Sequence, residues 1–148
     1  MVEFVLRPAT EADFQEIRTL VRAVRINPTG LYWKRFLLAV TPDGKMIGCG
    51  QVKSHQGGTR ELASLAVWPA FRHQGVAGAI IDHLLAENPP PLYLMCRSEL
   101  GVFYEQFGFQ SVTSEELPVY FRRMMRLFNS FQLVAILVMV YNGKRSVI

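Results

Sequence analysis

The stretch from Leu62 to Ile81 constrains the fold more than any other part of the chain. It reads LASLAVWPAFRHQGVAGAII, an apolar strand followed by a loop and then by a helix that begins at Gly75. Small residues fill most of the first helical turn, namely Ala77, Gly78 and Ala79. A bulky anion could therefore approach the unpaired N–H groups at the helix start, where the helix dipole is favourable. We expect a phosphate-binding turn here, with close helix–sheet packing as the alternative explanation of the small residues.

Two better-known phosphate loops are excluded by spacing. The segment GVAG interrupts the GxGxxG pattern of dinucleotide-binding folds, and the chain contains no GxxxxGK[ST]. The formal net charge of +4 favours anionic ligands. Charge alone does not distinguish a nucleotide from a nucleic acid or a lipid head group.

Hydrophobic periodicity and turn signals predict seven strands and four helices. The strands are expected at residues 2–6, 32–40, 45–53, 60–67, 92–96, 109–113 and 133–141, and the helices at about 10–25, 75–86, 99–107 and 119–131. We expect one domain over residues 1–148, of the α/β (α+β) class.

The phosphate turn resembles a known family. Arg72-x-x-Gly75-x-Ala77 is similar to the (Arg/Gln)-x-x-Gly-x-(Gly/Ala) signature of the GNAT superfamily of acyl-CoA N-acyltransferases. The resemblance implies a mixed, mostly antiparallel central sheet of about seven strands with helices on both faces. It also implies acetyl-CoA as co-substrate, with the pyrophosphate held by the backbone of Arg72, His73, Gln74, Gly75, Val76, Ala77 and Gly78 and the pantetheine arm beside Leu65, Ala66 and Val67.

A second resemblance lies in the segment Phe103-Tyr104-x-x-x-Gly108-Phe109. In GNAT proteins a tyrosine at this position often protonates the departing thiolate, so the resemblance implies that Tyr104 is a general acid. Helical spacing places it on the inner face together with Leu100 and Phe107. The alternative is a buried tyrosine whose hydroxyl is satisfied by the backbone.

Glu61 begins the strand that leads into the phosphate turn. Some members of the family keep a glutamate base at this place, and the resemblance makes Glu61 the candidate base for the acceptor amine. It would need a raised pKa or a relayed water to act near neutral pH. The competing explanation is a strand-end carboxylate that pairs with Arg60 or remains in water.

The remaining chemistry-bearing residues are expected to be structural. His55, His73 and His83 are scattered without carboxylates at metal-ligand spacing, so we expect no metal and place these side chains at the surface or in packing. Cys49 and Cys96 form no CxxC and are expected to be half-buried thiols. A covalent acyl-cysteine at Cys96 is a minority mechanism in the family.

Two helices carry basic residues on their predicted outer faces. The arginines are Arg18, Arg22 and Arg25 on the first helix and Arg122, Arg123 and Arg126 on the last. Solvated faces explain both sets, and a basic amphipathic helix at a membrane or at the acceptor site is the alternative for the second. By resemblance, residues near 26–32 and 118–128 wall the acceptor pocket.

Together these patterns predict an acetyl-CoA-dependent N-acetyltransferase in which a primary amine, from a small molecule, protein or peptide, attacks directly. The alternatives are a non-catalytic acyl-CoA sensor and a basic module that binds nucleic acid or a membrane. No signal peptide and no apolar run of ~20 residues is recognised, so we expect no membrane span. We expect no nucleic-acid partner and a cytoplasmic protein, or a stromal one if a transit peptide was removed. A homodimer through the apolar last strand stays open.

Overall fold

The computed structural model describes residues 1–131 and 135–143. Its strands are β1 (Val5–Pro8), β2 (Phe36–Val40), β3 (Met46–Ser54), β4 (Arg60–Val67), β5 (Leu92–Arg97), β6 (Phe109–Ser111) and β7 (Ile136–Tyr141). Its helices are α1 (Phe14–Ala23), α2 (Val76–Glu87), α3 (Gly101–Glu105) and α4 (Val119–Phe131). Short 3₁₀ helices lie at Glu11–Asp13, Trp33–Arg35, Pro69–Phe71, Ser98–Leu100 and Ser114–Glu116.

The strands form one mixed sheet in the order β1-β2-β3-β4-β5-β7-β6. β1–β2, β2–β3, β5–β7 and β6–β7 are antiparallel, whereas β4 and β5 run parallel, with Glu61 opposite Tyr93. The predicted class, a mostly antiparallel seven-stranded α/β sheet with four helices, is confirmed.

The chain divides into two compact units. One comprises Met1–Lys53 and Leu62–Glu87, and the other comprises Ser54–Glu61 and the chain from Asn88 onwards. The single domain expected over residues 1–148 stays a prediction.

In the first unit, helices cover both faces of β3. Cys49 belongs to a buried cluster with Ile17 and Leu20 of α1. Gly48 and Gly50 point the other way, because a Cβ on either would lie 2.9 Å from a side-chain carbon of α2. Since successive residues of a strand face opposite sides, α1 and α2 lie on opposite faces of this strand.

A capping box sets the start of the first helical segment. The Thr10 N–H donates to Asp13 Oδ2 over 2.7 Å, and the Thr10 hydroxyl donates to the same oxygen over 3.1 Å. Arg7 completes the arrangement, since its guanidinium donates to both carboxylate oxygens of Asp13 at 2.8 and 3.0 Å. β1 and the first helix are thereby fixed to one another.

The second unit packs α4 on its own strands through Phe121. This side chain is fully buried and lies in a cluster with Leu117 and Val138, to which Tyr93 and Met125 also contribute. Helical spacing alone predicts a buried face with Tyr120, Met124, Leu127 and Phe131. For Leu127 that prediction is wrong, because the side chain is 52% exposed. In the described residues, no helix combines the length and apolar character needed to cross a membrane.

Several predicted boundaries differ from the structure. The first strand begins at Val5 instead of residue 2, because Val5 is the first residue to pair with β2, opposite Val40. Residues 33–35 form a 3₁₀ turn instead of the start of β2. The third helix is shorter than predicted, and Leu100 is 44% exposed, so its predicted inward orientation is wrong. The predicted start of the last strand at residue 133 lies outside the described residues.

Candidate active site

β4 contains a left-handed residue in the middle of its length. Ser64 has φ of +56°, a conformation that is uncommon for a residue with a side chain. Its hydroxyl accepts a hydrogen bond of 2.8 Å from Nε2 of Gln51, which is fully buried. Leu65, Ala66 and Val67 follow this bend and lead into the turn.

The predicted phosphate turn connects β4 with α2. Pro69–Phe71 forms a single 3₁₀ turn, and the backbone then passes through two left-handed residues, His73 at φ +63° and Gly75 at φ +82°. Left-handed residues in a turn can point successive N–H groups into one concavity that suits an anion. α2 starts at Val76, so the N–H groups of its first turn have no partner within the helix.

The long polar side chains of the turn are tied to the protein. Gln74 Oε1 accepts a hydrogen bond of 2.8 Å from the Val2 N–H. Arg72 Nε donates to the Val67 carbonyl over 3.3 Å. Gly75 has no heavy atom within 4 Å of the position that a Cβ would occupy. The entrance to the helix is therefore open, and backbone groups surround it.

The expected acceptor loop at residues 26–32 is held by polar side chains of the same unit. The Gly30 carbonyl accepts hydrogen bonds from Arg35 (2.8 Å) and from Gln51 (3.2 Å). Lys53 Nζ donates to the Thr29 carbonyl over 3.1 Å. Because Gln51 also binds Ser64, one amide joins this loop to the bend in β4.

A groove of about 500 Å³ lies elsewhere in the first unit. It is lined by Glu16, Thr19, Lys45, Met46, Trp68, Pro69, Ala70 and Phe71. None of the predicted site residues lines it, although the 3₁₀ turn at its edge directly precedes Arg72.

In the second unit, Glu61 is buried and bound to a histidine. It is 8% exposed, and its Oε1 lies 2.8 Å from Nε2 of His55. Arg60 does not pair with Glu61; it donates instead to Asn88 Oδ1 over 3.3 Å. His83 likewise binds a single carboxylate, that of Glu87, at 2.7 Å.

Aromatic side chains of α4 enclose the His55–Glu61 pair. The Tyr120 ring stacks on the His55 ring with centroids 3.5 Å apart and 12° between the planes. Phe121 meets the same ring edge-on at 6.2 Å. Burial and the negative charge of Glu61 raise the pKa of Tyr120, so its hydroxyl stays neutral over the physiological range.

Tyr104 lies half-buried on α3 against two phenylalanines. Its ring meets Phe103 at 5.1 Å and Phe109 at 6.0 Å, both nearly perpendicular. Burial, with a smaller contribution from Cys96, raises the pKa of Tyr104 well above its ordinary value. Among the described residues its hydroxyl makes no hydrogen bond, in contrast to the alternative of a backbone-satisfied tyrosine.

The arginines of the two basic helices are largely exposed. Arg18 stacks over the Phe14 ring at 5.6 Å, and Arg122 donates to the Leu117 carbonyl over 3.0 Å. Arg22, Arg123 and Arg126 are exposed, which agrees with the prediction of solvated faces. Arg25 is also exposed, but it lies beyond the end of α1 with φ of +60°.

The structure groups the predicted residues within each unit and adds two that sequence reasoning missed. The first unit holds Leu65–Val67 and the turn 72–78, and the second holds Glu61 and Tyr104. The additions are Gln51 and His55. The turn at Gly57-Gly58 could have indicated His55, because a hairpin there pairs His55 with Thr59 and makes Glu61 its diagonal cross-strand neighbour. The structure has this pairing, with the His55 N–H donating to the Thr59 carbonyl over 2.7 Å.

Solved structures share this fold. N-acetylglutamate synthase from Neisseria gonorrhoeae, complexed with coenzyme A and N-acetyl-glutamate, matches with a TM-score of 0.76 and 22% identity over 95% of this chain. The match takes in 35% of the Neisseria chain, so the present chain spans about a third of that protein. Rv2747 from Mycobacterium tuberculosis, in complex with CoA and NLQ, matches at 0.71 and 23% identity, covering 93% of this chain and 98% of that one.

A third structure is Arabidopsis thaliana NAA60 in complex with a bisubstrate analogue. It has a TM-score of 0.65 and 18% identity, and the match covers 96% of this chain and all of that one (100%). No curated protein matches the chain in sequence. At these identities the structural matches establish the fold.

Sequence comparison establishes the family. The acetyltransferase (GNAT) domain matches residues 33–111, more than half of the chain, from the 3₁₀ turn before β2 to the end of β6. This range contains the phosphate turn, Glu61 and Tyr104. The chain therefore belongs to the GNAT acetyltransferase family.

Proposed function

We propose that the protein transfers an acetyl group from acetyl-CoA to a primary amine by direct attack. The observation that carries the proposal is the turn at residues 72–78, where left-handed His73 and Gly75 precede the open start of α2. Backbone N–H groups with no internal partner suit a diphosphate. The Neisseria and Mycobacterium structures, both bound to coenzyme A, support the choice of ligand.

The pantetheine arm is assigned to Leu65, Ala66 and Val67. These residues follow the bend at Ser64, and an extended arm can hydrogen-bond to strand backbone as another strand would. We assign the oxyanion of the tetrahedral intermediate to the amide of Leu65 or Ala66, because a fixed backbone donor stabilises charge as it develops.

Tyr104 is the proposed general acid. The amine nitrogen forms a bond to the thioester carbonyl carbon, the C–S bond then breaks, and the Tyr104 hydroxyl gives its proton to the sulfur. Its raised pKa keeps the phenol protonated, so the proton is present when the C–S bond breaks. The acceptor amine must also lose a proton. We propose that the pair formed by the buried carboxylate of Glu61 and its hydrogen-bond partner His55 serves as the base.

The acceptor class is a primary amine of an amino acid, another small molecule or a peptide N-terminus. N-acetylglutamate synthase is named for an N-acetyl amino acid, and its structure contains N-acetyl-glutamate. The NAA60 structure contains a bisubstrate analogue. The test panel therefore includes amino acids, other small amines and peptides.

The proposal is tested by measuring acetyl transfer from acetyl-CoA to a panel of amino acids, small amines and peptides, for the parent and for Tyr104→Phe. We expect the variant to bind acetyl-CoA as the parent does and to turn over at least ~10-fold more slowly, as for a lost general acid. Equal turnover would remove Tyr104 from the mechanism.

Two outcomes would replace the proposal with another function. Tight acetyl-CoA binding without transfer to any amine would indicate an acyl-CoA sensor. Steeply salt-dependent binding to nucleic acid or to anionic vesicles, with no preference for acetyl-CoA over simple nucleotides, would indicate a phosphate-binding module.

A further inference from the structure

His55 has one ring nitrogen bound to Glu61 and the other without a hydrogen-bond partner among the described residues. Nε2 lies 2.8 Å from Glu61 Oε1. An ionised carboxylate only accepts hydrogen bonds, so Nε2 carries the hydrogen and Nδ1 keeps its lone pair in the neutral ring. The geometry therefore prepares Nδ1 to receive a proton.

The ring is fixed in place by its surroundings. Tyr120 stacks on one face at 3.5 Å and Phe121 meets it edge-on at 6.2 Å. The turn that carries His55 is closed by two backbone hydrogen bonds, from the His55 N–H to the Thr59 carbonyl and from the Gly58 N–H to the His55 carbonyl. These contacts give the His55 ring one fixed orientation.

The groups that face the ring are anionic or electron-rich. Glu61 places a buried negative charge at hydrogen-bond distance, and the stacked face of Tyr120 attracts a cation. Lys53, two residues earlier on β3, is the cation nearest in sequence, and its ammonium donates to the Thr29 carbonyl. The titratable groups that face the ring from the second unit are Glu61 and Tyr120.

We propose that His55 takes up the proton of the acceptor amine at Nδ1, and that Glu61 is the positioning residue that orients the ring and stabilises its charge. This inference rests on the function proposed above and refines the path of one proton. An N–H bond of the acceptor ammonium breaks, an N–H bond forms on Nδ1, and the amine keeps the electron pair with which it attacks. Glu61 remains a carboxylate throughout.

The ordinary acidities of the two side-chain types support assigning the proton to the imidazole and the positioning role to the carboxylate. A free carboxylic acid loses its proton near pH ~4 and an imidazolium near pH ~6.5, so an imidazole is the better proton acceptor at neutral pH. A carboxylate that holds the opposite ring nitrogen fixes the tautomer without accepting the proton itself, as in the serine-hydrolase triad.

The pH dependence of acetyl transfer tests the proposal. His55→Gln, Glu61→Gln and the control His83→Gln are compared with the parent, using the most active amine of the panel. We expect His55→Gln to lose ~100-fold or more of kcat/KM, within the range for a lost acid–base group, and the acid limb of its profile to move to lower pH. Glu61→Gln keeps an acceptor oxygen but loses the charge, so its acid limb also moves to lower pH. His83→Gln removes the histidine of the exposed His83–Glu87 pair on α2 and should keep the parent profile.

If His55 had only a structural role, the acid limb of the His55→Gln profile would lie at the same pH as that of the parent. Turnover of His55→Gln within about threefold of the parent, with an unchanged acid limb, would overturn the inference and leave the proposed function standing. Absence of transfer by the parent would overturn both. Thermal unfolding of each variant separates lost folding from lost chemistry, and His55→Asn serves as a second variant.

The tautomer gives a readout that does not depend on turnover. Long-range ¹H–¹⁵N correlation spectra of the full chain, at a pH where the ring is neutral, should show hydrogen on Nε2 and a free lone pair on Nδ1 of His55. In Glu61→Gln the amide oxygen preserves the same tautomer but not the charge. Hydrogen on Nδ1 in the parent would overturn the inference by itself.

Discussion

Gly48 lies so close to Val76 that a Cβ added to it would be 2.9 Å from Val76 Cγ1. The same Cβ would be 3.2 Å from the Ala66 carbonyl oxygen. Val76 is the first residue of α2, and Ala66 belongs to the end of β4. The missing side chain at position 48 thus sets the distance between β3 and the two segments that flank the phosphate turn.

Gly48→Ala is therefore expected to destabilise the protein and to weaken acetyl-CoA binding. Neither a β-branched side chain nor a backbone carbonyl moves easily, and overpacking of this kind costs about 1–3 kcal/mol. Urea denaturation measures the free energy of unfolding, and calorimetric titration measures the affinity.

Gly50→Ala is the matched control. Its added Cβ would lie 2.9 Å from Ile80 Cγ2, also on α2 but beyond the first turn of the helix. It should lose comparable stability with a smaller loss of affinity. Unchanged stability of Gly48→Ala would show that α2 is not held at this distance.

Gly75→Ala should weaken acetyl-CoA binding through the backbone of the turn. At φ +82° an alanine is strained by about 1–2 kcal/mol, although no atom lies within 4 Å of its Cβ. The methyl group would also stand at the open start of α2. The measurement is the dissociation constant for coenzyme A, together with the free energy of unfolding.

Gly44→Ala provides the comparison for this variant. Gly44 has φ of +89° and equally open surroundings, but it lies in the turn between β2 and β3. Both variants should lose similar stability, and only Gly75→Ala should lose affinity. Equal affinities of the two variants would contradict the assignment of the phosphate site to the turn.

The elements whose bounds the sequence predicted best are those with clear turn or helix-start residues in front of them. Bounds for β4 and α4 agree with the structure, because a glycine pair precedes β4 and Pro118 precedes α4. The inward face of α4 was harder to predict, since apolar residues cover more than one stripe of this helix. Packing against Val138 selects Phe121 for the core and leaves Leu127 exposed.

In the candidate site, composition predicted the open helix start but not the backbone around it. A glycine at position 75 is consistent with a left-handed backbone and could be anticipated. His73 and Ser64 also adopt positive φ, which residues with side chains ordinarily avoid. Contacts distant in sequence decide such positions: the Ser64 hydroxyl binds Gln51, thirteen residues away, an interaction that no local pattern encodes.

The Arg7–Asp13 pair should make stability depend on pH in the acid range. The hydrogen bond from Arg7 is the largest of the effects that lower the pKa of Asp13 to about 2. A depressed folded-state pKa contributes stability that is present above the ordinary value near 3.8 and lost as the pH falls through 2. Asp13→Asn should therefore lower the Tm at pH 6, with the difference from the parent shrinking between pH 4 and pH 2.

Arg7→Gln tests the same pair from the other partner. It removes the guanidinium but leaves the Thr10 hydrogen bonds to Asp13, so the loss of Tm at pH 6 should be smaller than for Asp13→Asn. A loss of Tm that is constant from pH 6 to pH 2 in both variants would mean that the ion pair does not contribute.

Cys96 is expected to be dispensable for transfer, although it lies near Tyr104. Burial, followed by the charge of Glu99, raises the pKa of the Cys96 thiol to about 11. The thiolate is the nucleophilic form, and at pH 7.5 almost none of it is present. Cys96→Ala should keep acetyl transfer within about threefold of the parent, since it removes no acid–base group.

Alkylation kinetics and mass spectrometry check the same point on the parent protein. Iodoacetamide should modify Cys96 slowly at pH 7.5 and faster as the pH approaches 11, because the rate follows the thiolate fraction. Cys49, whose thiol pKa burial raises to about 12, should react no faster. An acetyl group trapped on Cys96 after incubation with acetyl-CoA, together with loss of transfer in Cys96→Ala, would replace direct attack by a covalent acyl-enzyme.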